Sequence, residues 1–271
     1  MKILVLGGDE RYISLMNNLQ EDIDCVGYEQ VHLNSNIKKV SFLDVDFSLY
    51  DKIILPILGI TSDLAIQTLN KVINIDSHTF DTCKKDCVFY VGVVNETMKE
   101  LLKEKKIICL LADEKVQMAN DVLTLQGVLK DIEAKKKDNI VILGYGNLGS
   151  KLAALLSSYH VKIGVKDEDL ARVFSDTFFL TRFKEQMKAH FKESDIVINT
   201  VPSNIMDKDT LDEAAYVLDI ASFPYGVSKD VGEKHENYKL YSSIPSKYAP
   251  SEAGKILAKK IKRDIGGNVW K

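Results

Sequence analysis

The sequence predicts an α/β protein: two three-layer domains with parallel sheets, a long linker helix joining them, and a C-terminal helix crossing back to the first domain. Three observations predict it. Short β-branched apolar runs alternate with helical patterns in each half, a strand running into glycines opens a helix at the midpoint, and one long helical pattern separates the halves. Strand and helix in alternation imply a parallel sheet covered on both faces. A chain of 271 residues is long enough for two domains that each bury a core.

In the first domain, residues 1–115, "KILVL" (2–6), "DCVGY" (24–28), "KIILP" (52–56), "CVFYVG" (87–92) and "KIICLL" (106–111) read as buried strands. Between the last two, "NETMKELLKEKK" (95–106) sets Met98, Leu101 and Leu102 on one face, as a helix would. A single helical pattern follows over 114–137, with Val122, Leu125, Val128, Leu129 and Ile132 at helical spacing, and the linker helix is assigned to 116–137. The second domain, 138–245, repeats the alternation with "IVILG" (140–144), "VKIGV" (161–165), "DIVINT" (195–200) and "YVLDIA" (216–221) as strands and "NLGSKLAALLSSY" (147–159) as a helix. In the last segment, 246–271, a stripe of Ile256, Leu257, Ile261 and Ile265 marks the helix expected to return to the first domain.

Composition narrows the function classes. With 45% hydrophobic and 28% charged residues the chain has the make-up of an ordinary globular protein. A net charge of -3 argues against nucleic acid or an anionic membrane as partner, and the lysine runs 103–106 and 134–137 read as solvated helix ends. The longest apolar run, "IILPILGI" (53–60), is well short of the roughly 20 residues a spanning helix needs. "MKILVLGG" is too short for a signal-peptide core, so a cytoplasmic protein is expected. The cysteines read as reduced structural thiols, and no metal site is assigned.

The chemistry-bearing motif is "VILGYGNLGS" (141–150). Gly144, Gly146 and Gly149 stand in G-x-G-x-x-G after a strand and at a helix start, with Tyr145, Asn147 and Leu148 between them. The first glycine allows the tight turn, the second the approach of backbone to a pyrophosphate, and the third close packing of helix on strand. Amides at the helix N-terminus would then face the phosphates. This makes the domain Rossmann-like and calls for a nicotinamide dinucleotide. At the end of the next strand an acid would take the ribose hydroxyls of NAD and a base the extra phosphate of NADP. Lys166 and Asp167 stand there side by side and leave the choice open.

Two strand ends add candidates. "NTVPSN" (199–204) offers Thr200, Val201 and Pro202 to the cofactor and Asn199 and Ser203 to a substrate; "DIASFPYG" (219–226) offers Ser222. At the other end of the chain, "VLGGDERY" (5–12) is a second glycine turn, but Gly7 and Gly8 lack the full spacing and are followed by acids that would repel a pyrophosphate. It reads as a substrate-side loop or a structural turn. Arg11 either forks a substrate carboxylate or pairs with Asp9 or Glu29. His32, His78, His160, His190 and His235 are scattered, so no His–carboxylate couple and no general base is assigned.

End to end, the chain resembles the dipicolinate synthase A-subunit family of endospore-forming bacteria. The resemblance rests on "GGDERY" (7–12), "VGYEQ" (26–30), "TLQG" (124–127), "LGYGNLG" (143–149), "INTVPS" (198–203), "LDIASFPYG" (218–226) and "AP" followed by "AG" (249–254), in that order. It implies a family-specific N-terminal domain and a C-terminal domain that binds NADP, NAD being the alternative. It also implies a flavoprotein-like B-subunit partner, with self-association into a homodimer left open. The implied reaction is oxidation of a dihydrodipicolinate, arising from the lysine pathway, to dipicolinate in the cytoplasm of the sporulating mother cell. Where the family carries arginine and threonine in the glycine turn this chain has Asn147 and Leu148, and Lys166 replaces an arginine. Gln126, Ser246 and Ser251 are further departures. Two rival readings stand beside it: another NAD(P)-dependent dehydrogenase of a small carboxylate, and a nucleotide-sensing protein without catalysis.

Overall fold

A computed structural model describes residues 1–266. The chain separates into two compact units, Met1–Asn120 with the segment from Pro245 onward, and Asp121–Ile244. No helix among the described residues is long and apolar enough to cross a membrane.

The first unit is built on a six-stranded sheet in the order β3-β2-β1-β4-β7-β8. Its strands are β1 (Lys2–Leu6), β2 (Asp22–Val26), β3 (Ile37–Lys39), β4 (Lys52–Ile54), β7 (Val88–Val91) and β8 (Lys106–Cys109), and every pairing is parallel. A separate antiparallel hairpin, β5 (Ala65–Gln67) and β6 (Val72–Asn74), lies outside it. Strand β1 shows why the pattern is continuously apolar. Ile3 and Val5 face a cluster with Tyr12 and Leu15 of α1 (Arg11–Asn18) and Leu257 and Ile261 of the last helix. Leu4 and Leu6 face the opposite cluster, with Phe47, Ile66, Phe89 and Met98 of α2 (Glu96–Leu101). A strand covered on both faces has no place for a polar side chain.

The second unit has a six-stranded sheet in the order β11-β10-β9-β12-β13-β14, again parallel throughout. The strands are β9 (Asn139–Leu143), β10 (His160–Val165), β11 (Phe178–Leu180), β12 (Ile196–Asn199), β13 (Val217–Asp219) and β14 (Tyr238–Leu240). Between them run α4 (Asn147–Leu155), α5 (Glu168–Val173), α6 (Lys184–Glu193), α7 (Lys208–Leu211) and α8 (Lys229–Gly232). Counted along its own unit, each six-stranded sheet has the order 3-2-1-4-5-6 of a doubly wound dinucleotide-binding fold. Helix α3 (Glu114–Lys135) carries the chain from the first unit into the second, and α9 (Ile244–Tyr248) and α10 (Pro250–Gly266) follow β14.

Several elements differ from expectation for local reasons. The second strand ends at Val26, because Gly27 turns the chain with φ +92. The helix expected over 95–106 closes at Leu101, and the chain is already in β8 at Lys106. On α3 it is Leu123, 7% exposed, that enters the core, whereas Val122 is 52% exposed. Strands β3, β11 and β14 and the hairpin go beyond the sequence pattern. Each of these strands has three residues, too few for a period to show. Cys25, Cys83, Cys87 and Cys109 are free thiols.

Candidate functional site

The site is built on the turn from β9 to α4, at the switch point of the second sheet, where β9 has β10 on one side and β12 on the other. The glycines of the turn do different work. Gly144 has φ +95, and a Cβ there would come within 2.6 Å of the Thr200 hydroxyl. A Cβ on Gly149 would lie 2.2 Å from the Gly144 carbonyl oxygen, so α4 packs on the turn only because the residue is glycine. Gly146 has φ -75, and its Cβ would meet nothing within 4 Å. The fold requires the first and third glycines but not the second, and the space that Gly146 leaves bare is open. The other turn residues are held from α3 and α4. Asn147 Nδ2 donates to Asp121 Oδ2 at 2.9 Å, and Lys151 Nζ reaches the same oxygen at 2.6 Å. Tyr145 is exposed and packs edge-on against Phe178, and Leu148 is half-buried.

A groove of about 400 Å³ opens beside the turn, at the carboxyl ends of β9 and β10. Gly144, Tyr145, Lys166, Asp167 and Val201 line it, all of them singled out from sequence. Gly164, Val165, Leu170, Thr181 and Ile205 complete its wall and were not singled out from sequence. Thr181 follows β11, a strand that the sequence pattern does not reveal, so nothing local could have placed it. Asp167 is the N-cap of α5: its Oδ1 accepts from the amides of Asp169 and Leu170, each at 2.9 Å.

After β12 the chain passes Thr200, Val201, Pro202 and Ser203. The Thr200 hydroxyl donates to the Leu143 carbonyl at 2.8 Å, tying this loop to the glycine turn. Asn199 is fully buried, and its amide donates to the Val201 carbonyl and to Asp219 Oδ1, at 3.0 and 2.8 Å. Its side chain therefore braces the strand end. Asp219, at the end of β13, is also fully buried and accepts from Ala221 N, Gly226 N and the Tyr238 hydroxyl as well. The hydroxyl of Tyr238 is pushed up in pKa by burial and by that bond. The carboxylate thus organises the loop 220–226 on which Ser222 stands exposed.

The first unit's glycine turn is closed by its own side chains. A Cβ on Gly7 would lie 2.5 Å from the Gln67 carbonyl oxygen, and one on Gly8 2.5 Å from the Tyr12 ring. The Gly8 amide, which in the other unit's motif would face a phosphate, donates to the Gln67 carbonyl at 2.9 Å. The hairpin β5–β6 therefore fills this turn. Arg11 is 9% exposed and grips the Asp9 carboxylate through Nε and Nη2, the latter at 2.6 Å. Glu29, the other partner considered for it, pairs with Lys71.

Strand order, glycine turn and strand-end groove define the class: an α/β protein with a dehydrogenase-like fold, its dinucleotide-type turn in the second unit. Residues 2–111 match the family model for the N-terminal domain of the dipicolinate synthase A-subunit. The chain is 27% identical to the dipicolinate synthase A-subunit of Bacillus subtilis (strain 168), over 95% of this chain and 93% of that one. A solved dipicolinate synthase A chain from Bacillus subtilis superimposes with a TM-score of 0.77 at 27% identity, covering 98% of this chain and 96% of that one. The A-subunit from Bacillus halodurans does so with a TM-score of 0.81 at 24% identity, covering 97% of each. The first 111 residues thus carry the N-terminal domain of the dipicolinate synthase A-subunit type, and the chain as a whole is similar to dipicolinate synthase A-subunits.

Proposed function

We propose that this chain is the dinucleotide-binding subunit of an oxidoreductase that forms dipicolinate, oxidising a dihydrodipicolinate derived from the lysine pathway. One observation carries the reading. Gly146 lacks a side chain where the fold does not need it to, at a helix start facing open space, which suits the close approach of a pyrophosphate. The residues present fit a nicotinamide dinucleotide: amides at the start of α4 for phosphates, and the groove lined by Tyr145, Leu170, Val201 and Ile205 for an adenosine half. A bound nicotinamide would supply a hydride acceptor. The family's pattern favours NADP, with NAD as the alternative, and implies a B-subunit partner in the mother cell of a sporulating bacterium.

Loss of one hydride and one proton makes the substrate ring aromatic, which lowers the demand on the protein. Holding a flat dicarboxylate in place is then the chain's main task, and positioning can supply several kcal/mol of a barrier of this kind, ~7 or more in favourable cases. Ser203 and Ser222 are the donors we assign to the substrate. Asn199 acts one step back, bracing the loop that carries Ser203. Arg11, held by Asp9 within the first unit, is not assigned to the substrate.

The test is to mix the purified chain with its partner subunit, the lysine-pathway intermediate, and NADP or NAD. Ultraviolet absorbance of dipicolinate should rise. No rise with either cofactor, from folded proteins, sinks the reading.

A further inference from the structure

The side chains that follow β10 bear on which dinucleotide the groove accepts. In a sheet of this order the residue at the end of that strand meets the adenosine ribose: a carboxylate accepts from the hydroxyls, whereas a 2′-phosphate needs cations and donors. Asp167 lines the groove here. Its Oδ1 is engaged by the first amides of α5, so the carboxylate is fixed in place, and those amides are not offered to a phosphate. Among the described residues lining the groove, Lys166 is the only cation, and Asp167 cancels it. Neither Arg172 nor Arg182 lines the groove, and each lies in an exposed surface pair. Arg172 pairs with Asp169 at 2.7 Å, and Arg182 pairs with Glu168. The Thr181 hydroxyl, on the wall of the groove, donates to the Val165 carbonyl at 3.3 Å. A ribose diol finds an acceptor here; a phosphate dianion finds a fixed carboxylate and no net positive charge.

We infer that this chain takes NAD in preference to NADP, with Asp167 as the residue that selects against the 2′-phosphate. The inference rests on the reading that the second unit binds a nicotinamide dinucleotide. Titration calorimetry of the full chain with NAD and with NADP tests it. NAD should bind at least about tenfold more tightly, the effect of placing two like charges against a solvated carboxylate. Asp167→Asn keeps a good N-cap and removes the charge. It should leave the melting temperature in place and bring the two affinities to within about threefold, chiefly by strengthening NADP. NADP binding as tightly as NAD to the unaltered chain overturns the inference, as does an unchanged ratio in Asp167→Asn. If a folded chain binds neither dinucleotide, the dinucleotide reading itself falls, and this inference with it.

Discussion

At the scale of single residues, identical residue types in one motif carry different consequences. Gly144 and Gly149 are glycine because backbone geometry and packing demand it, while Gly146 is glycine with open space beside it. Gly146→Val is therefore expected to leave thermal unfolding unchanged and to weaken dinucleotide binding at least about tenfold. Calorimetry and a melting curve on the same sample separate these outcomes, and retained affinity would make the turn structural. Asp219 offers the opposite case. It is fully buried and accepts four hydrogen bonds, from Asn199, Ala221, Gly226 and Tyr238. Asp219→Ala would strand those donors, and urea unfolding should show a loss of about 3 kcal/mol, since each orphaned buried group costs on the order of 1–3 kcal/mol. In the sequence this position is visible only as part of a strand end, because a buried carboxylate and an exposed one look the same in a string of letters.

At the scale of elements, α1 and α10 of the first unit pack closely. A Cβ on Gly254 would lie 2.1 Å from the Arg11 carbonyl oxygen, and Ser14 Oγ donates to the Ser251 carbonyl at 2.8 Å. Gly254→Ala must push the helices apart and should lower stability by about 2 kcal/mol, read as a lower melting temperature. Helix α6 carries a pH-sensitive element. His190 stacks 4.2 Å from the Phe179 ring, and burial, aided by Lys162, holds its pKa below the ordinary histidine value. With the folded value below the unfolded one, the unfolded chain takes up the proton first as pH falls. This contribution is therefore complete above about pH 6.5 and is lost as pH drops through the folded value. Urea unfolding at a series of pH values should show a steeper fall in stability for the natural chain than for His190→Phe.

At the scale of the molecule, the first unit is assembled from two distant pieces of chain. Leu257, Ala258 and Ile261 of α10 lie in the same core cluster as Ile3, Tyr12 and Leu15, and Arg263 pairs with Asp113 at 3.0 Å. A chain ending at Ile244 should lose the melting transition of the first unit or shift it well down, while that of Asp121–Ile244 persists. A single unshifted transition would show that α10 is dispensable.

The parallel α/β architecture was legible because central strands buried on both faces leave unbroken apolar runs, as in "KILVL" and "IVILG". The glycine turn at 144–149 was legible for a related reason, since steric demands on a backbone can be met by one residue type only. What stayed hidden were the three-residue edge strands and the hairpin Ala65–Asn74, because pairing partners far along the chain, not local period, create them. That hairpin decides the difference between the two glycine turns. The sequence alone determined that each half would carry a glycine turn after its first strand. Only the tertiary structure decided that the first is filled by Gln67 and Tyr12 while the second faces open space, because filling a turn is a matter of which distant side chains arrive there.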